Sequence, residues 1–392
     1  MKAEQLDPFA EDFLADPYPG HALLREAGPV VRLERYGIWA MARYQQVYDS
    51  LRDADTFCSS AGVGISNFHQ EEPWRQPSLL LEADPPAHTG VRSVVNRVLS
   101  KRALEVLRSS FERKAEAVVE SALAKGSIDG FTDLGRLFPM QVFPDAVGIK
   151  DPDRSMLLPY GEMAFNAFGP QNALFEKSME NVGEVSAWIG TQCLRESLTD
   201  DGLGAQVHAA AEAGEITPEQ APLLVRSLLT AGVDTTVHGL GHALYNLARN
   251  PGQWQLLRED PTLGRAALDE AVRLESPVQT FFRTTTREVQ VEGTTIPQDQ
   301  KVLLFLAAAN RDPDRWEEPE CYDIRRDTRG HVGFGAGIHM CVGQMLARLE
   351  ADVLFTVLAR KESTLELEAE PTIRLNNTLR GYASIPLRIT PN

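Results

Sequence analysis

The residues whose types and spacing best suit chemistry lie in one glycine-rich segment that contains a cysteine. Residues 334–343 read Phe-Gly-Ala-Gly-Ile-His-Met-Cys-Val-Gly, and Cys341 stands near the end of the run. Apolar residues recur at steps of three and four from Val342 to Leu358, which predicts a helix directly after the cysteine. Glycines such as Gly343 let the backbone turn sharply and pass close to a bulky group.

Cys341 is therefore predicted at a helix N-terminus, where unpaired N–H groups and the positive end of the dipole favour a thiolate. Phe334 can shield one side of the sulfur. A shielded thiolate held in a tight loop suits an axial ligand of haem iron. A single cysteine is more often a small buried apolar side chain, and we assign that role to Cys58, Cys193 and Cys321.

The segment resembles the haem-binding loop of cytochrome P450 enzymes, Phe-Gly-x-Gly-x-His-x-Cys-x-Gly, and matches every specified position. Other landmarks of that family follow in the expected order, and the resemblance extends from about residue 7 to residue 388. These landmarks are the propionate segment 84–92, the oxygen-binding segment 231–236, the pair Glu270 and Arg273, and the segment 310–316.

The resemblance implies a mainly α fold with a small β region, in which residues 1–392 form a single haem domain with a long central helix. It also implies haem b with an axial thiolate from Cys341, and O2 as co-substrate. Parts of one haem site spread over residues 84–343 must meet in space, so the chain has to close as one unit. Strands are predicted at 30–34, 38–43, 288–296, 301–305 and 384–389, the first two as a hairpin.

Residues 218–249 are predicted to form the central helix. Thr217 can cap it, Gln220 can complete a capping box, and Asn250-Pro251 ends it. Its middle is poor in helix formers, which a buried helix tolerates where such residues have a task. We expect the Thr235 hydroxyl to bond a carbonyl one turn earlier and bend the helix, opening a groove for a diatomic ligand. The alternative is a glycine required by packing beside a surface Asp-Thr pair.

An acid and an alcohol stand side by side at Asp234 and Thr235. Cleaving the O–O bond of O2 requires two protons, and such a pair suits their delivery, so we predict both as catalytic residues. The axial thiolate of Cys341 donates electron density that favours the same cleavage.

Haem propionates are anionic and need cationic partners when they are enclosed. The resemblance implies this role for four residues: His88, Arg92, Arg283 and His339. For His88 and Arg92 a solvated helix face is the alternative, because residues four apart are neighbours on any helix.

Glu270 and Arg273 stand three apart on a predicted helix that ends before Pro277. The resemblance implies a structural ion pair behind the haem, completed as a triad by Arg315. The alternative is a chance surface pair, which would contribute little to stability.

Ser227 lies two helical turns before Asp234 on nearly the same face, about 10 Å along the helix. Arg226 points to another side, so its contact with a substrate is expected to be indirect. The resemblance places residues 74–81 in a loop that caps the pocket, and this loop brings Arg75 and Ser78. A cation and two hydroxyls at the far end of an apolar pocket would hold a carboxylate. Solvated loop residues are the alternative for Arg75 and Ser78.

Apolar residues match family positions around the substrate and would sandwich a flat ring; they are Leu81, Phe165, Phe168, Ala231, Val278 and Phe281. The chain is similar to bacterial members of the family that oxidise para-substituted benzoates such as 4-methoxybenzoate, by O-demethylation or hydroxylation. We therefore expect a small aromatic acid as substrate. Another small hydrophobic substrate, such as a terpenoid, fatty acid or polyketide, is the alternative.

Composition narrows the partners and the location. The net charge of −16 argues against nucleic acid and anionic membrane surfaces. The N-terminus has no apolar signal region, and no run approaches the ~18 apolar residues of a membrane span. The four cysteines show no paired spacing typical of disulfides. We expect a cytoplasmic monomer without a membrane partner.

Electrons must come from another protein, because four cysteines cannot build a second Cys-ligated cluster while Cys341 binds haem. For a soluble bacterial enzyme the resemblance implies an iron–sulfur ferredoxin and an NADH-dependent ferredoxin reductase. Docking an acidic ferredoxin onto an acidic chain needs a local basic patch on the cysteine side. The candidates, each of which could instead be scattered solubilising charge, are Arg92, Arg97, Lys101, Arg102, Arg329 and Arg348.

Two other haem functions compete with a monooxygenase. A peroxide-driven enzyme would not need the pair Asp234 and Thr235, since peroxide already brings both oxygens and their protons. A haem sensor or carrier needs no proton relay and usually has an output domain, for which we find no segment in the sequence.

Overall fold

The computed structural model describes residues 2–73, 75–361 and 363–391. Trp74, in the segment expected to cap the pocket, lies outside the described residues. The α-helices are α1 (Glu11–Ala15), α2 (Tyr18–Ala27), α3 (Tyr44–Arg52), α4 (Ala87–Val98), α5 (Lys101–Glu105), α6 (Arg108–Lys125), α7 (Leu137–Val147), α8 (Leu157–Asn166), α9 (Ala173–Ser178), α10 (Val182–Gln192), α11 (Leu203–Glu212), α12 (Gln220–Gly232), α13 (Asp234–Arg249), α14 (Pro251–Glu259), α15 (Gly264–Glu275), α16 (Leu306–Ala309) and α17 (Gln344–Arg360). The strands are β1 (Val31–Leu33), β2 (Ile38–Met41), β3 (Phe57–Cys58), β4 (Ser127–Asp129), β5 (Thr280–Thr285), β6 (Val289–Val291), β7 (Thr294–Ile296), β8 (Lys301–Phe305), β9 (Ser363–Leu367), β10 (Thr372–Arg374), β11 (Gly381–Ser384) and β12 (Pro386–Pro391).

Helices α6, α13, α15 and α17 pack together around the main hydrophobic core. Helix α13 is buried along nearly its whole length, including the polar residues Asp234, His238, His242 and Asn246 that recur at steps of four. The strands form small sheets beside this core, the largest in the order β1-β2-β8-β5-β3. In it β2 and β8 run parallel and the other neighbours antiparallel. The predicted mainly α fold with a small β region is confirmed.

Most predicted strands are present, and two of the predicted segments are divided. Strands β1 and β2 form the expected hairpin, with Val31 opposite Ala40. The segment 288–296 is a hairpin of β6 and β7, because Glu292 and Gly293 turn the chain with φ of 45° and 87°. The segment 384–389 is shared between β11 and β12. Strands β3, β4, β5, β9 and β10 were not expected: β3 and β5 are almost wholly buried and lack an alternating pattern, and β4 and β10 are only three residues long.

The predicted central helix is two helices. Its regular hydrogen bonding is interrupted at Val233, so α12 and α13 replace one helix over 218–249. The Thr235 hydroxyl donates to the carbonyl of Ala231 at 2.8 Å, the bond that the sequence predicts. The Thr236 hydroxyl likewise donates to the carbonyl of Gly232 at 3.2 Å. Such bonds compete with the helical ladder and bend the helix.

The ends of this region follow the prediction. The Gln220 N–H donates to Thr217 Oγ1 at 3.3 Å, and the Thr217 N–H donates to Gln220 Oε1 at 2.9 Å. This is the reciprocal capping box, although residues 218 and 219 form a turn rather than helix. Helix α13 ends at Arg249, before Asn250-Pro251.

None of the helices among the described residues is long and apolar enough to cross a membrane. Cys58 and Cys193 are buried, as expected. Cys321 is exposed instead, because it lies in the irregular segment between α16 and α17.

Candidate functional site

Cys341 lies in the loop just before α17, which begins at Gln344. Its N–H donates to the carbonyl of Phe334 at 2.7 Å and closes the loop on itself. Gln344 Nε2 donates to the Cys341 carbonyl at 3.0 Å. A Cβ at Gly343 would stand 3.9 Å from Cys341 Sγ, so glycine keeps the space beside the sulfur open. The predicted order of loop, cysteine and helix is therefore present.

Two other glycines let the loop turn this tightly. Gly335 and Gly337 have φ of 70° and 67°, a left-handed conformation that side chains disfavour. A Cβ at Gly337 would also come within 2.6 Å of the Leu51 carbonyl oxygen. Both positions therefore require glycine, one for conformation and the other also for space.

The protein alone does not stabilise Cys341 as a thiolate, contrary to the sequence-based expectation. Burial raises the pKa of the Cys341 thiol and outweighs the N–H groups of Gly343 and Gln344 and the guanidinium of Arg92, which lower it. The helix N-terminus does not compensate for enclosing the sulfur. A metal ion deprotonates a coordinating thiol outright, so a buried thiol fits a metal ligand better than a free nucleophile.

Two of the predicted propionate partners lie against each other. The ring centroids of His88 and His339 are 4.6 Å apart. Each ring has a buried Nε2 atom without a hydrogen-bond partner among the described residues. Asp84 approaches His339 Nε2 no closer than 3.6 Å, and burial lowers the pKa of His88 to about 4. The pair therefore lacks acceptors that an anionic group would supply.

Arg92 and Arg283 bring cations to this region. Arg92 lies one turn after His88 on α4 and donates to the carbonyl of Met340, next to the cysteine. Arg283 is buried on β5, where burial lowers its pKa to about 10 and Asp84 opposes that fall. Unpartnered imidazole nitrogens with two guanidinium groups fit the carboxylates of a haem held at the cysteine loop.

Glu270 and Arg273 form an ion pair in which both side chains are fully buried, with Arg273 Nε 2.8 Å from Glu270 Oε2. Arg326 completes a triad, with its Nε 3.0 Å from Glu270 Oε1. This corrects the expectation for Arg315, which stacks 4.4 Å over the ring of Trp316 instead. Arg315 and Arg326 both lie in the irregular segment between α16 and α17. The course of that segment decides which of the two reaches Glu270.

Asp234 and Thr235 begin α13 at the interruption. Asp234 is buried, and burial raises the pKa of its carboxyl to about 8 while Arg374 opposes the rise. An acid with this pKa holds a proton at neutral pH and can donate it.

Five of the six predicted apolar residues form one cluster. The rings of Phe165 and Phe168 meet edge to face at 5.7 Å, and Phe281 lies 5.8 Å from Phe168. Leu81 and Val278 pack on the same cluster, together with two residues that the sequence analysis missed, Val63 and Leu379. Ala231 is exposed on α12. Nothing in the sequence distinguishes Val63 and Leu379 from ordinary core residues.

The two predicted hydroxyls meet. Ser78 Oγ and Ser227 Oγ are 3.2 Å apart, which joins the loop to α12. Ser227 Oγ donates to the Leu223 carbonyl at 2.9 Å. Ser78 Oγ accepts the N–H of Leu81 at 3.1 Å and that of Leu80 at 3.3 Å. The Ser78 proton is therefore the one able to turn from Ser227 to a ligand.

The two arginines both hold the loop, Arg75 through an ion pair and Arg226 through backbone carbonyls. Arg75 Nη1 is 2.9 Å from Glu82 Oε2, and the same carboxylate accepts the Ser78 N–H at 2.7 Å. Arg226 donates to the Gln76 carbonyl at 2.8 Å, and its indirect contact with a substrate stays a prediction. Glu82 was missed, and it corrects the expectation that Arg75 offers its charge to a substrate without competition.

Ion pairs reduce the predicted basic patch. Arg97 pairs with Glu215, Arg329 with Asp327 and Arg348 with Asp269. Lys101 and Arg102 on α5 are exposed and have no ion-pair partner among the described residues. Helix α5 packs on α17, the helix that follows the cysteine loop.

Comparison with known proteins places this arrangement in one family. The cytochrome P450 family model matches residues 172–374. The chain is 54% identical over 387 residues to cytochrome p450 CYP199A2 of Rhodopseudomonas palustris, covering 98% of this chain and 94% of the relative. It is 33% identical over 396 residues to cytochrome P450 monooxygenase PikC of Streptomyces venezuelae, covering 98% and 93%.

Solved structures agree with the sequence relatives. Cytochrome P450 CREJ, in complex with (4-ethylphenyl) dihydrogen phosphate, matches with a TM-score of 0.86 at 26% identity and covers 100% of both chains. CYP109Q5 from Chondromyces apiculatus matches with a TM-score of 0.83 at 29% identity. The fold, the cysteine loop and the relatives lead to one conclusion, that this chain belongs to the cytochrome P450 family of haem-thiolate monooxygenases.

Proposed function

We propose that this monooxygenase inserts one oxygen atom from O2 into a small aromatic carboxylic acid, by O-demethylation or hydroxylation at the para position of a benzoate. The observation that carries the proposal is the contact of Ser78 and Ser227 at the edge of an aromatic cluster. Leu81 packs on that cluster and donates its N–H to Ser78. A substrate ring packed against this cluster beside Leu81 would therefore bring its carboxylate toward the hydroxyls.

Cys341 is proposed as the axial ligand, with Phe334 and Gly343 shaping the loop around its sulfur. His88, His339, Arg92 and Arg283 are proposed to hold the propionates, because they combine buried unpartnered nitrogens with cations. When bound, haem supplies the difficult oxidation of the substrate, and the protein supplies ligation and orientation.

Asp234 and Thr235 are proposed to supply protons. The Asp234 carboxyl is protonated at neutral pH because burial raises its pKa to about 8. Thr235 is next to it on the interrupted helix and uses its own proton on the Ala231 carbonyl. Its oxygen is therefore free to accept a hydrogen bond from the acid or from water.

The polar end of the pocket favours an anion through hydrogen bonds rather than an exposed cation. The Ser78 hydroxyl accepts hydrogen bonds from the N–H groups of Leu80 and Leu81. These bonds polarise the hydroxyl and strengthen the hydrogen bond that it donates. Arg226 adds positive charge nearby because it binds the carbonyls of the capping loop. A solved relative holds a para-substituted phenyl ring with an anionic group, (4-ethylphenyl) dihydrogen phosphate, which resembles the proposed substrate in shape.

The proposal is tested by optical titration of the ferric protein with 4-methoxybenzoic acid and, in parallel, its neutral methyl ester. If the acid alone shifts the Soret band to the high-spin position, both the haem site and the hydroxyl pair are supported. If both compounds shift it equally, the pocket does not select carboxylates. The ion pair of Arg75 with Glu82 would then favour a neutral hydrophobic substrate.

Members of this family take electrons from a redox partner. We propose an iron–sulfur ferredoxin and an NADH-dependent ferredoxin reductase, with Lys101 and Arg102 on α5 as the docking cations. We also propose that the protein is a cytoplasmic monomer and that residues 1–392 form one haem domain.

A further inference from the structure

Gly161 stands in the interior of α8, where a glycine weakens the helix. A glycine there costs about 1 kcal/mol relative to alanine. Its φ is not among the left-handed ones, so backbone conformation does not require it. The residue is buried, and its lack of a side chain must serve the packing of a neighbour.

That neighbour is the carboxyl group of Asp234. A Cβ at Gly161 would stand 2.0 Å from Asp234 Oδ2 and 2.7 Å from Asp234 Cγ. Both distances are far inside van der Waals contact, so the carboxyl occupies the space that any other residue would fill. Helix α8 therefore limits where the side chain of Asp234, the first residue of α13, can lie.

The next residue on α8 leads from this contact to solvent. Glu162 forms an ion pair with Arg374 of β10, and both side chains are partly exposed, at 32% and 42%. Asp234 itself is buried. The carboxyl thus lies against the backbone of α8, and the partly exposed charges of Arg374 and Glu162 both act on its pKa.

We propose that Gly161 is a positioning residue that seats the Asp234 carboxyl between Thr235 and the solvent-facing pair of Glu162 and Arg374. The inference rests on the proposed proton-donating role of Asp234. It adds the residue on another helix that this role requires, and it predicts which substitution displaces the acid while leaving the acid itself unchanged.

The test compares Gly161→Ala with Gly190→Ala in the haem-loaded protein. Gly190 is also within a helix, α10, but a Cβ there would meet nothing within 4 Å. We expect G161A to lower the rate of product formation by at least about tenfold, part of the roughly 10²–10⁴-fold that a positioned acid contributes. Substrate affinity from the optical titration should stay within about twofold, and G190A should match the unmodified protein in both.

A second readout does not depend on turnover. The carbonyl stretch of protonated Asp234 is identified by infrared difference between the unmodified protein and D234N. In G161A this band should shift and its titration midpoint should move, because the new Cβ displaces the Asp234 carboxyl from its position against α8. An unchanged band and midpoint in G161A would overturn the inference.

Stability measurements keep the test decisive if G161A folds poorly. Removing the carboxyl as well, in G161A/D234A, frees the space that the new Cβ needs, so the melting temperature should recover. If it does not recover, the clash is not with Asp234 and the inference fails. If D234N alone turns over at the unmodified rate, the proton-donating role fails, while the infrared comparison still decides whether Gly161 seats the carboxyl.

Discussion

Replacing Ser78 by alanine removes the hydroxyl that we expect to donate to the substrate carboxylate. In the structure this hydroxyl contacts Ser227 Oγ at 3.2 Å and accepts two backbone N–H groups. Ser227 already donates to the Leu223 carbonyl. Of the two serines, Ser78 therefore has the proton that can be redirected to a ligand by giving up only its 3.2 Å contact with Ser227.

The magnitude follows from the charge on the acceptor. A hydrogen bond to a charged group contributes about 1.5–3 kcal/mol, equivalent to about 10- to 150-fold in Kd. Ser78 is buried and its donation is strengthened by the bonds it accepts, so we expect Ser78→Ala in the upper part of this range. For Ser227→Ala we expect the lower part, because that hydroxyl would first have to release a carbonyl.

The assay is the Soret titration with 4-methoxybenzoic acid and its methyl ester, performed on both alanine variants. The ester reports on the loop, because Ser78→Ala also deprives the N–H groups of Leu80 and Leu81 of their acceptor. A loss confined to the acid supports the hydroxyl contact. An equal loss for acid and ester, or no loss for the acid, would refute the reasoning.

Further predictions concern stability, protons and electron transfer. Glu270→Ala leaves Arg273 buried without its partner, so urea unfolding should show a loss of about 3–5 kcal/mol; a loss below about 1 kcal/mol would contradict a structural role. Because burial raises the pKa of Asp234 to about 8, the folded protein keeps a proton that the unfolded chain releases near pH 4. Stability should therefore fall as pH rises between these values, and Asp234→Asn should flatten that slope in urea titrations. Thr235→Ala should divert oxygen consumption to peroxide, and unchanged coupling of product to NADH would count against the relay. Arg102→Glu should slow reduction by ferredoxin and weaken its salt dependence; a rate and a salt dependence equal to those of the unmodified protein would remove Arg102 from the docking surface.

Local features were predictable because their partners are close in sequence. Three such features each join residues that are close in sequence: the capping box of Thr217 and Gln220, the bond from Thr235 to Ala231, and the hairpin of β1 and β2. Side-chain chemistry and spacing specify such contacts directly. The cysteine loop belongs to the same class, since its closing bond joins Cys341 to Phe334.

Contacts across the fold were predictable when two elements carried a clear chemical signal. Ser227 was placed by helical periodicity relative to Asp234, and Ser78 by the capping loop, and the structure brings the two hydroxyls together. The thiol of Cys341 shows the limit of this approach. The helix N-terminus favours a thiolate, as the sequence suggests, but only the depth of burial shows that desolvation is the larger effect.

The sequence by itself determined which chemical groups this protein has, namely the cysteine loop, the acid–alcohol pair and the aromatic residues. It also indicated the mainly α fold. The tertiary structure alone decided which partner each group has. It chose Arg326 rather than Arg315 for Glu270, and it set Glu82 against Arg75. It also seated Asp234 against Gly161. These choices depend on how loops and helices distant in sequence pack, and on which groups lose water as they do so, and neither is encoded in local spacing.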